Sequence, residues 1–191
     1  YGTAVDNAIK LKVEEINEAG GILGGKKIDY ICYDEKGDPT EAVNAYNKLV
    51  QDDKIVALVG DVTTKPTIAV AQKSVADNMP MITATGTGAD ITAAGSNVFR
   101  ACFIDPFQGQ LMASYAQEKL GAQKVAIIYD NGDDYSTGIA DAFEEKATEL
   151  GMEVVAKESY PSKSVDFKAQ LTKIKGENPD VLLIPVYYSD V

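Results

Sequence analysis

The chain has 191 residues, of which 45% are hydrophobic and 25% are charged, an ordinary composition for a soluble globular protein. Its formal net charge of -11 argues against nucleic-acid binding, because contacts with phosphates require a cluster of Lys and Arg that this sequence lacks. The sequence has no histidine and two distant cysteines, which excludes the commonest general base and the Cys-based zinc and redox motifs. We therefore expect no enzymatic activity, no metal and no cofactor.

Helical and apolar segments alternate along the chain. Apolar residues at helical spacing predict a helix over residues 4–19, and Asp38 followed by Pro39 predicts an N-cap and first turn. The complete order in the first half is helix 4–19, strand 28–33, helix 39–51, buried strand 54–59, a helix after Thr64, and strands 81–83 and 98–102. In the second half the order is helix 105–120, strand 124–129, helix 136–150, strand 153–159, helix 166–175 and strand 181–184.

This alternation predicts an α/β fold with parallel sheets. The pattern breaks once, at residues 84–97, which are rich in Gly, Thr and Ala and predict a loop that leads into a second α/β lobe. We expect lobe 1 to cover residues 1–104, without its first strand, and a partial lobe 2 to cover residues 105–191. Because no strand precedes the first helix and no helix covers the last strand, we expect a chain that is incomplete at both ends.

Two glycine-rich stretches resemble nucleotide-binding motifs, but the residues and predicted elements around them do not match those motifs. Residues 20–27 follow a helix and precede a strand, which is the reverse of the order in a phosphate-binding loop. Residues 86–88 begin a GxG motif, but Ile91 occupies the position of the third glycine. The acidic loop 130–134 resembles a calcium loop weakly and is better explained as a polar loop at the end of a strand.

Three segments at the predicted carboxyl ends of strands suit a small zwitterionic ligand. Residues 60–64 enter a helix N-terminus, which can bind an anion, although simple capping by Thr64 is an equal alternative. Residues 83–88 offer carbonyls and hydroxyls to an ammonium group. Tyr135 and the Tyr187-Tyr188 pair supply aromatic walls, so the sequence indicates a cleft for an amino-acid-like molecule.

Six segments in the correct order carry a family resemblance across essentially the whole chain. They are YGTAVDNAIKLKVEEINEAGGILGGKKI (1–28), YDEKGDPTEAVNAYNKLV (33–50), PMITATGTGADIT (80–92), FRACFIDPFQGQ (99–110), KVAIIYDNGDDYSTGIADAF (124–143) and DFKAQLTKIKGENPDVLLIPVYYSD (166–190). The sequence resembles the substrate-binding proteins of Leu/Ile/Val-type branched-chain amino acid ABC transporters, which are type I periplasmic binding proteins.

The resemblance implies two Rossmann-like lobes that close on a ligand in the cleft between them, and it assigns roles to six residues. Tyr1 matches an aromatic side wall, and Thr64 matches the residue that grips the α-carboxylate. Thr85 matches the position whose backbone carbonyl accepts the ammonium, and Thr87 matches the hydroxyl that bridges both groups. The family's lobe-two aromatics, which cover the ligand, correspond to Tyr135 and Tyr187.

The resemblance also implies an extracytoplasmic receptor that captures a small aliphatic amino acid. The receptor would be monomeric, either periplasmic or lipid-anchored on the outer face of the cytoplasmic membrane, and would deliver the ligand to an ABC permease. The alternative is a regulatory domain of the same fold that senses an amide or another small effector; an α/β enzyme is a third reading. We expect Cys32, within a strand, and Cys102 to be buried free thiols.

Overall fold

Helices and strands alternate through the computed structural model, which describes all of residues 1–191. The helices are α1 Gly2–Glu18, α2 Pro39–Gln51, α3 Thr64–Ala76, α4 Ala89–Ala93, α5 Asp105–Leu120, α6 Asp134–Glu149 and α7 Lys168–Glu177. The strands are β1 Leu58–Val59, β2 Met81–Thr83, β3 Val98–Arg100, β4 Lys124–Asp130, β5 Glu153–Tyr160 and β6 Val181–Leu183. A short 3-10 helix follows at Tyr188–Asp190.

These helices and strands belong to two compact units. Residues 1–86 and 91–102 form the first unit, and residues 87–90 and 103–191 form the second unit. All strand pairs in both sheets are parallel, which confirms the α/β class predicted from the alternation of elements.

The sheet of the first unit has the order β1-β2-β3. Met81 of β2 lies between Leu58 of β1 and Val98 of β3. Its core includes Tyr46 from α2 and Val70 from α3, both 1% exposed. As predicted, Asp38 caps α2, and its carboxylate accepts hydrogen bonds from the Thr40 and Glu41 N–H groups at 2.8 and 3.0 Å. Residues of α2 and α3 thus pack in one core with residues of β2 and β3.

The sheet of the second unit has the order β5-β4-β6, with the apolar β4 in its centre. Helices α5 and α6 pack closely on one another beside this sheet. At Gly109 of α5, an added Cβ would lie 2.7 Å from the Ile139 carbonyl oxygen and 2.8 Å from the Ala142 Cβ. Glycine is required there because the two helix backbones approach closely.

Two strand predictions in the first unit are wrong. Residues 28–33 form no strand, because residues 29–33 form no backbone hydrogen bonds with a neighbouring strand. A cavity of about 70 Å³ is lined by residues 30–33 together with residues 58–61. The predicted buried strand 54–59 shortens to β1, and Val56 is 87% exposed. The reason is that β1 lies at the edge of the sheet, with only β2 beside it.

Three local predictions also need correction. Asp105 does not cap α5; it is the first helical residue, and Ile104 is the N-cap. The predicted loop 84–97 contains the short helix α4. Cys32 is exposed rather than buried, and Cys102 is half-buried, although both are free thiols as expected. No helix of the chain is both long and apolar enough to cross a membrane.

Candidate functional site

The loops after β1 and β2 are joined side by side at one edge of the first unit's sheet. The carboxyl ends of neighbouring parallel strands meet at the same edge, where ligands bind in open α/β sheets. Here the Thr83 hydroxyl donates to the Asp61 carbonyl oxygen at 2.6 Å. The Thr85 hydroxyl donates to the Val62 carbonyl oxygen at 2.7 Å. These two bonds hold the approach to α3 against the segment that follows β2.

Thr64 is the first residue of α3, and its side chain is buried, with 1% exposure. The capping alternative is wrong, because Thr63 is the N-cap and its side chain forms no capping hydrogen bond. Thr85, by contrast, is exposed. The structure thus places Thr85 beside the loop that leads into Thr64, at the N-terminus of α3, where Pro66 has no N–H and the other first-turn N–H groups are not used by the helix itself.

Gly86 and Arg100 also form hydrogen bonds at this edge; the sequence analysis included Gly86 in the segment 83–88 but did not single out Arg100. The Gly86 N–H donates to the Thr83 hydroxyl at 2.9 Å, and an added Cβ at Gly86 would lie 2.9 Å from the Ile91 Cδ1. Arg100 donates to the Gly86 carbonyl oxygen at 3.4 Å and to the Thr92 hydroxyl at 2.8 Å. The sequence offered one signal, since Arg100 is the chain's single arginine and lies within the strand predicted at residues 98–102.

Two carboxyl groups lie close to the same loop. Burial raises the pKa of Asp61 to about 7, and the nearby Glu35 carboxylate adds to this effect. Burial also raises the pKa of Glu35, whose Oε2 atom is buried without a hydrogen-bond partner. Asp61 is consequently part protonated near neutral pH, which reduces negative charge beside a helix end suited to an anion.

The second unit brings two of the predicted aromatic residues together. Tyr135 lies in the first turn of α6, and Tyr187 lies just before the 3-10 helix. Their rings stack with centroids 4.9 Å apart and planes inclined by 19°. Both are half-buried, whereas Tyr188 is 73% exposed. The pair forms one aromatic surface at the end of β4.

The structure places the other two predicted site residues separately. Thr87 belongs to the second unit, where its carbonyl oxygen accepts a hydrogen bond from the Asp105 N–H at 3.0 Å at the start of α5. Tyr1 immediately precedes α1 in the first unit and is 65% exposed. The ligand contacts expected of both residues stay predictions.

Comparison with known proteins agrees with the α/β fold and identifies the family. The family model described as periplasmic binding protein matches residues 1–191. The chain is 36% identical over 191 residues to the Leu/Ile/Val-binding protein homolog 3 of Brucella melitensis, covering 100% of this chain and 51% of that protein. This chain therefore spans about half the length of that relative.

Two solved structures have the same fold. The branched-chain amino acid transporter substrate binding protein of Streptococcus pneumoniae, in complex with isoleucine, has a TM-score of 0.90 and 38% identity. The match covers 98% of this chain and 53% of that one. A solute binding protein of an ABC transporter from Rhodopseudomonas palustris, in complex with 3,4-dihydroxy benzoic acid, has a TM-score of 0.82 and 26% identity, covering 96% and 49%. The resemblance found in the sequence is confirmed, and the chain belongs to the periplasmic binding protein family.

Proposed function

We propose that the protein is an extracytoplasmic receptor that binds a small aliphatic amino acid and delivers it to an ABC permease. The relatives support this proposal, since a Leu/Ile/Val-binding protein and an isoleucine-bound transporter receptor match nearly the whole chain. The observation that carries it is the joined edge of the first unit. There, the hydroxyls of Thr83 and Thr85 tie two strand-end loops together beside the N-terminus of α3.

That edge suits the charged groups of an amino acid. The main-chain N–H groups of Thr64 and Lys65 at the first turn of α3, where Pro66 has none, favour the α-carboxylate, because a helix N-terminus carries partial positive charge. The Thr85 carbonyl oxygen accepts the ammonium group, and the Thr87 hydroxyl bridges the two charged groups. The protonated fraction of Asp61 lowers the repulsion that a ligand carboxylate would meet.

The ligand's side chain is assigned to aromatic residues. The stacked Tyr135 and Tyr187 rings offer an apolar surface with polar edges, and Tyr1 forms a side wall. Such walls discriminate weakly among aliphatic ligands, since one methylene changes binding by only ~1–3 kcal/mol. We therefore propose the class of ligand, aliphatic L-amino acids, rather than one member.

The stacked tyrosines support a second candidate ligand class, small aromatic acids. An aromatic pair can stack on an aromatic ligand, and the Rhodopseudomonas palustris relative was solved with a dihydroxybenzoic acid. Both classes carry a carboxylate, so the first unit would serve either one. The ammonium group distinguishes them.

A thermal-shift screen of the full-length protein tests the proposal. The panel contains the L-amino acids and 3,4-dihydroxybenzoate, with sugars and nucleotides as controls. A ligand at 100 times its dissociation constant adds about 2.7 kcal/mol of stability, which gives an easily measured rise in melting temperature. Shifts confined to Leu, Ile, Val or close analogues are expected. A cooperative melting transition that no amino acid shifts would contradict the proposal.

The site assignment is tested with Thr87→Val, which keeps the side chain's shape and removes its hydroxyl. Losing a hydrogen bond to a charged group is expected to cost ~1.5–3 kcal/mol of binding free energy. Thr148→Val on α6 is the matched control, because its hydroxyl bonds only to the Glu144 carbonyl oxygen of its own helix. If Thr87→Val keeps its affinity within a factor of two, the hydroxyl does not contact the ligand.

A further inference from the structure

A buried carboxylate lies at the carboxyl end of β4, next to the loop that leads to Tyr135. Asp130 is 6% exposed. Its Oδ1 atom accepts a hydrogen bond from the Gly132 N–H at 2.7 Å and another from the Ser162 hydroxyl at 2.9 Å. Neither bond belongs to the β ladder, so the carboxylate organises the loops at this end of the sheet rather than the sheet itself.

The backbone of Asp130 is tied to the first turn of α6 as well. Its N–H donates to the Ser136 hydroxyl at 2.9 Å, and the Ser136 N–H donates to the Asp133 carboxylate at 3.2 Å. Tyr135 immediately precedes Ser136 in the chain. Loop 131–133 is therefore held at both ends, by the Asp130 carboxylate at its start and by Ser136 in the first turn of α6.

Gly132 shows how tightly the loop is fitted. An added Cβ at this position would lie 2.5 Å from the Ser162 Oγ and 3.3 Å from the Asp130 Oδ1. The loop backbone thus lies directly against the pair of side chains that fixes it. Only glycine leaves the Ser162–Asp130 bond undisturbed there.

The backbone segment that carries Tyr187 is held by different hydrogen bonds. The Tyr160 hydroxyl donates to the Asp190 carboxylate at 3.3 Å, and the Asp190 N–H donates to the Tyr187 carbonyl oxygen at 3.0 Å. Neither hydrogen bond uses the Asp130 carboxylate, although Tyr160 is paired with Asp130 in the register of β4 and β5. A change to the Asp130 side chain should consequently displace Tyr135 and keep both hydrogen bonds of the segment that carries Tyr187.

We propose that Asp130 is a positioning residue that holds Tyr135 against Tyr187, acting through Gly132 and Ser162. The effect on the tyrosine pair stands on the geometry alone. Its effect on ligand affinity rests on the proposed function, in which the pair covers the ligand. The experiment therefore measures the pair and the affinity separately.

The pair is measured by ¹⁹F NMR of the full-length protein labelled with 3-fluorotyrosine. Tyr135→Phe assigns the resonance of residue 135, and Tyr187→Ala gives its position when the stacked partner is removed. Asp130→Ala removes the acceptor, whereas Asp130→Asn keeps an Oδ1 that can accept both hydrogen bonds. Ser162→Ala removes one donor from an exposed position, so it stays informative if Asp130→Ala fails to fold.

Asp180→Ala is the matched control. Its carboxylate also accepts two hydrogen bonds, from the Gln123 and Lys124 N–H groups at 2.8 and 2.9 Å, but at the opposite end of β4. This variant loses a comparable set of contacts in the same unit. A general loosening of the second unit would therefore appear in both alanine variants.

In Asp130→Ala and Ser162→Ala, the resonance of residue 135 is expected to move toward its position in Tyr187→Ala. In Asp130→Asn and Asp180→Ala it is expected to stay at the wild-type position. A wild-type resonance in Asp130→Ala, or an equal displacement in Asp180→Ala, would overturn the proposal.

Affinity for the best ligand of the thermal-shift panel is measured on the same proteins. Asp130→Ala is expected to bind roughly tenfold more weakly, the size of a lost aromatic contact, and Asp130→Asn is expected to restore binding. If the resonance moves while the affinity stays within a factor of two, the positioning role stands. The role of the tyrosines in the proposed function is then wrong.

Discussion

Thr83→Val is expected to loosen the joined strand-end loops of the first unit. Thr83 is fully buried, and its hydroxyl both donates to the Asp61 carbonyl oxygen and accepts from the Gly86 N–H. Valine has nearly the same shape but can form neither hydrogen bond. The substitution therefore leaves two backbone groups without their partner while the packing is kept.

The expected cost follows from those two groups. A buried polar group left without a partner costs ~1–3 kcal/mol, so the pair predicts a loss of about 2–6 kcal/mol in unfolding free energy. Thr67→Val is the matched control, because Thr67 is equally buried and its hydroxyl donates to the Thr63 carbonyl oxygen at 2.6 Å. That carbonyl also accepts from the Thr67 N–H at 3.2 Å, so the control is expected to cost less than about 1 kcal/mol.

Urea unfolding of the wild type and both variants measures these differences, and ligand titration measures the functional effect. Thr83→Val should also weaken ligand binding, because it removes a hydrogen bond that joins the segment after β2 to the loop that leads into α3. If the unfolding free energies of the two variants agree within experimental error, the hydrogen bonds that join the two strand-end loops are not an important source of stability, and the reasoning is refuted.

Two further predictions concern the carboxyl pair and the helix contact. Folding raises the pKa of Asp61 from 3.8 to about 7, so the folded state keeps a proton that the unfolded chain has lost. The free energy of unfolding therefore falls as pH rises across that window. Urea unfolding of the wild type is expected to show a fall of roughly 2–4 kcal/mol between pH 4 and 8 from this group, and Asp61→Asn should not show it. Unfolding free energies that depend on pH equally in both proteins would contradict this. Gly109→Ala places a Cβ 2.7 Å from the Ile139 carbonyl oxygen and should destabilise the protein by about 1–3 kcal/mol. Gly176→Ala, where nothing lies within 4 Å, should be neutral or stabilising by thermal melting, and equal effects would argue against the close approach.

The predictions that succeeded rest on local chemistry. The Asp38-Pro39 start of α2 and the apolar strands β2 and β4 are each determined by residues that are adjacent in the sequence. The structure has all three where they were predicted. The strand predicted at residues 28–33 failed for a non-local reason. An apolar extended segment becomes a strand only when another strand supplies hydrogen bonds, and the local pattern carries no information about that partner.

The site was predictable in part for the same reason. Strand-end loops rich in hydroxyls indicated the segments 60–64 and 83–88, and the family resemblance added Thr64 and Thr85 by residue; the structure places the Thr85 side chain against the loop before Thr64. The hydrogen bonds of Arg100 and the raised pKa of Asp61 depend on tertiary contacts. Arg100 reaches the Gly86 carbonyl oxygen across the sheet, and burial sets the protonation of Asp61. Neither effect can be obtained from residue spacing alone.

Titration calorimetry with L-isoleucine and with L-isoleucinamide tests the central claim most directly. The amide keeps the side chain and the ammonium group but replaces the carboxylate that the N-terminus of α3 is proposed to bind. Saturable binding of isoleucine, with at least about tenfold weaker binding of the amide, is the expected result, since a hydrogen bond to a charged group contributes ~1.5–3 kcal/mol. Equal affinity for both ligands, or no heat of binding with any amino acid that the thermal-shift panel contains, would contradict the account.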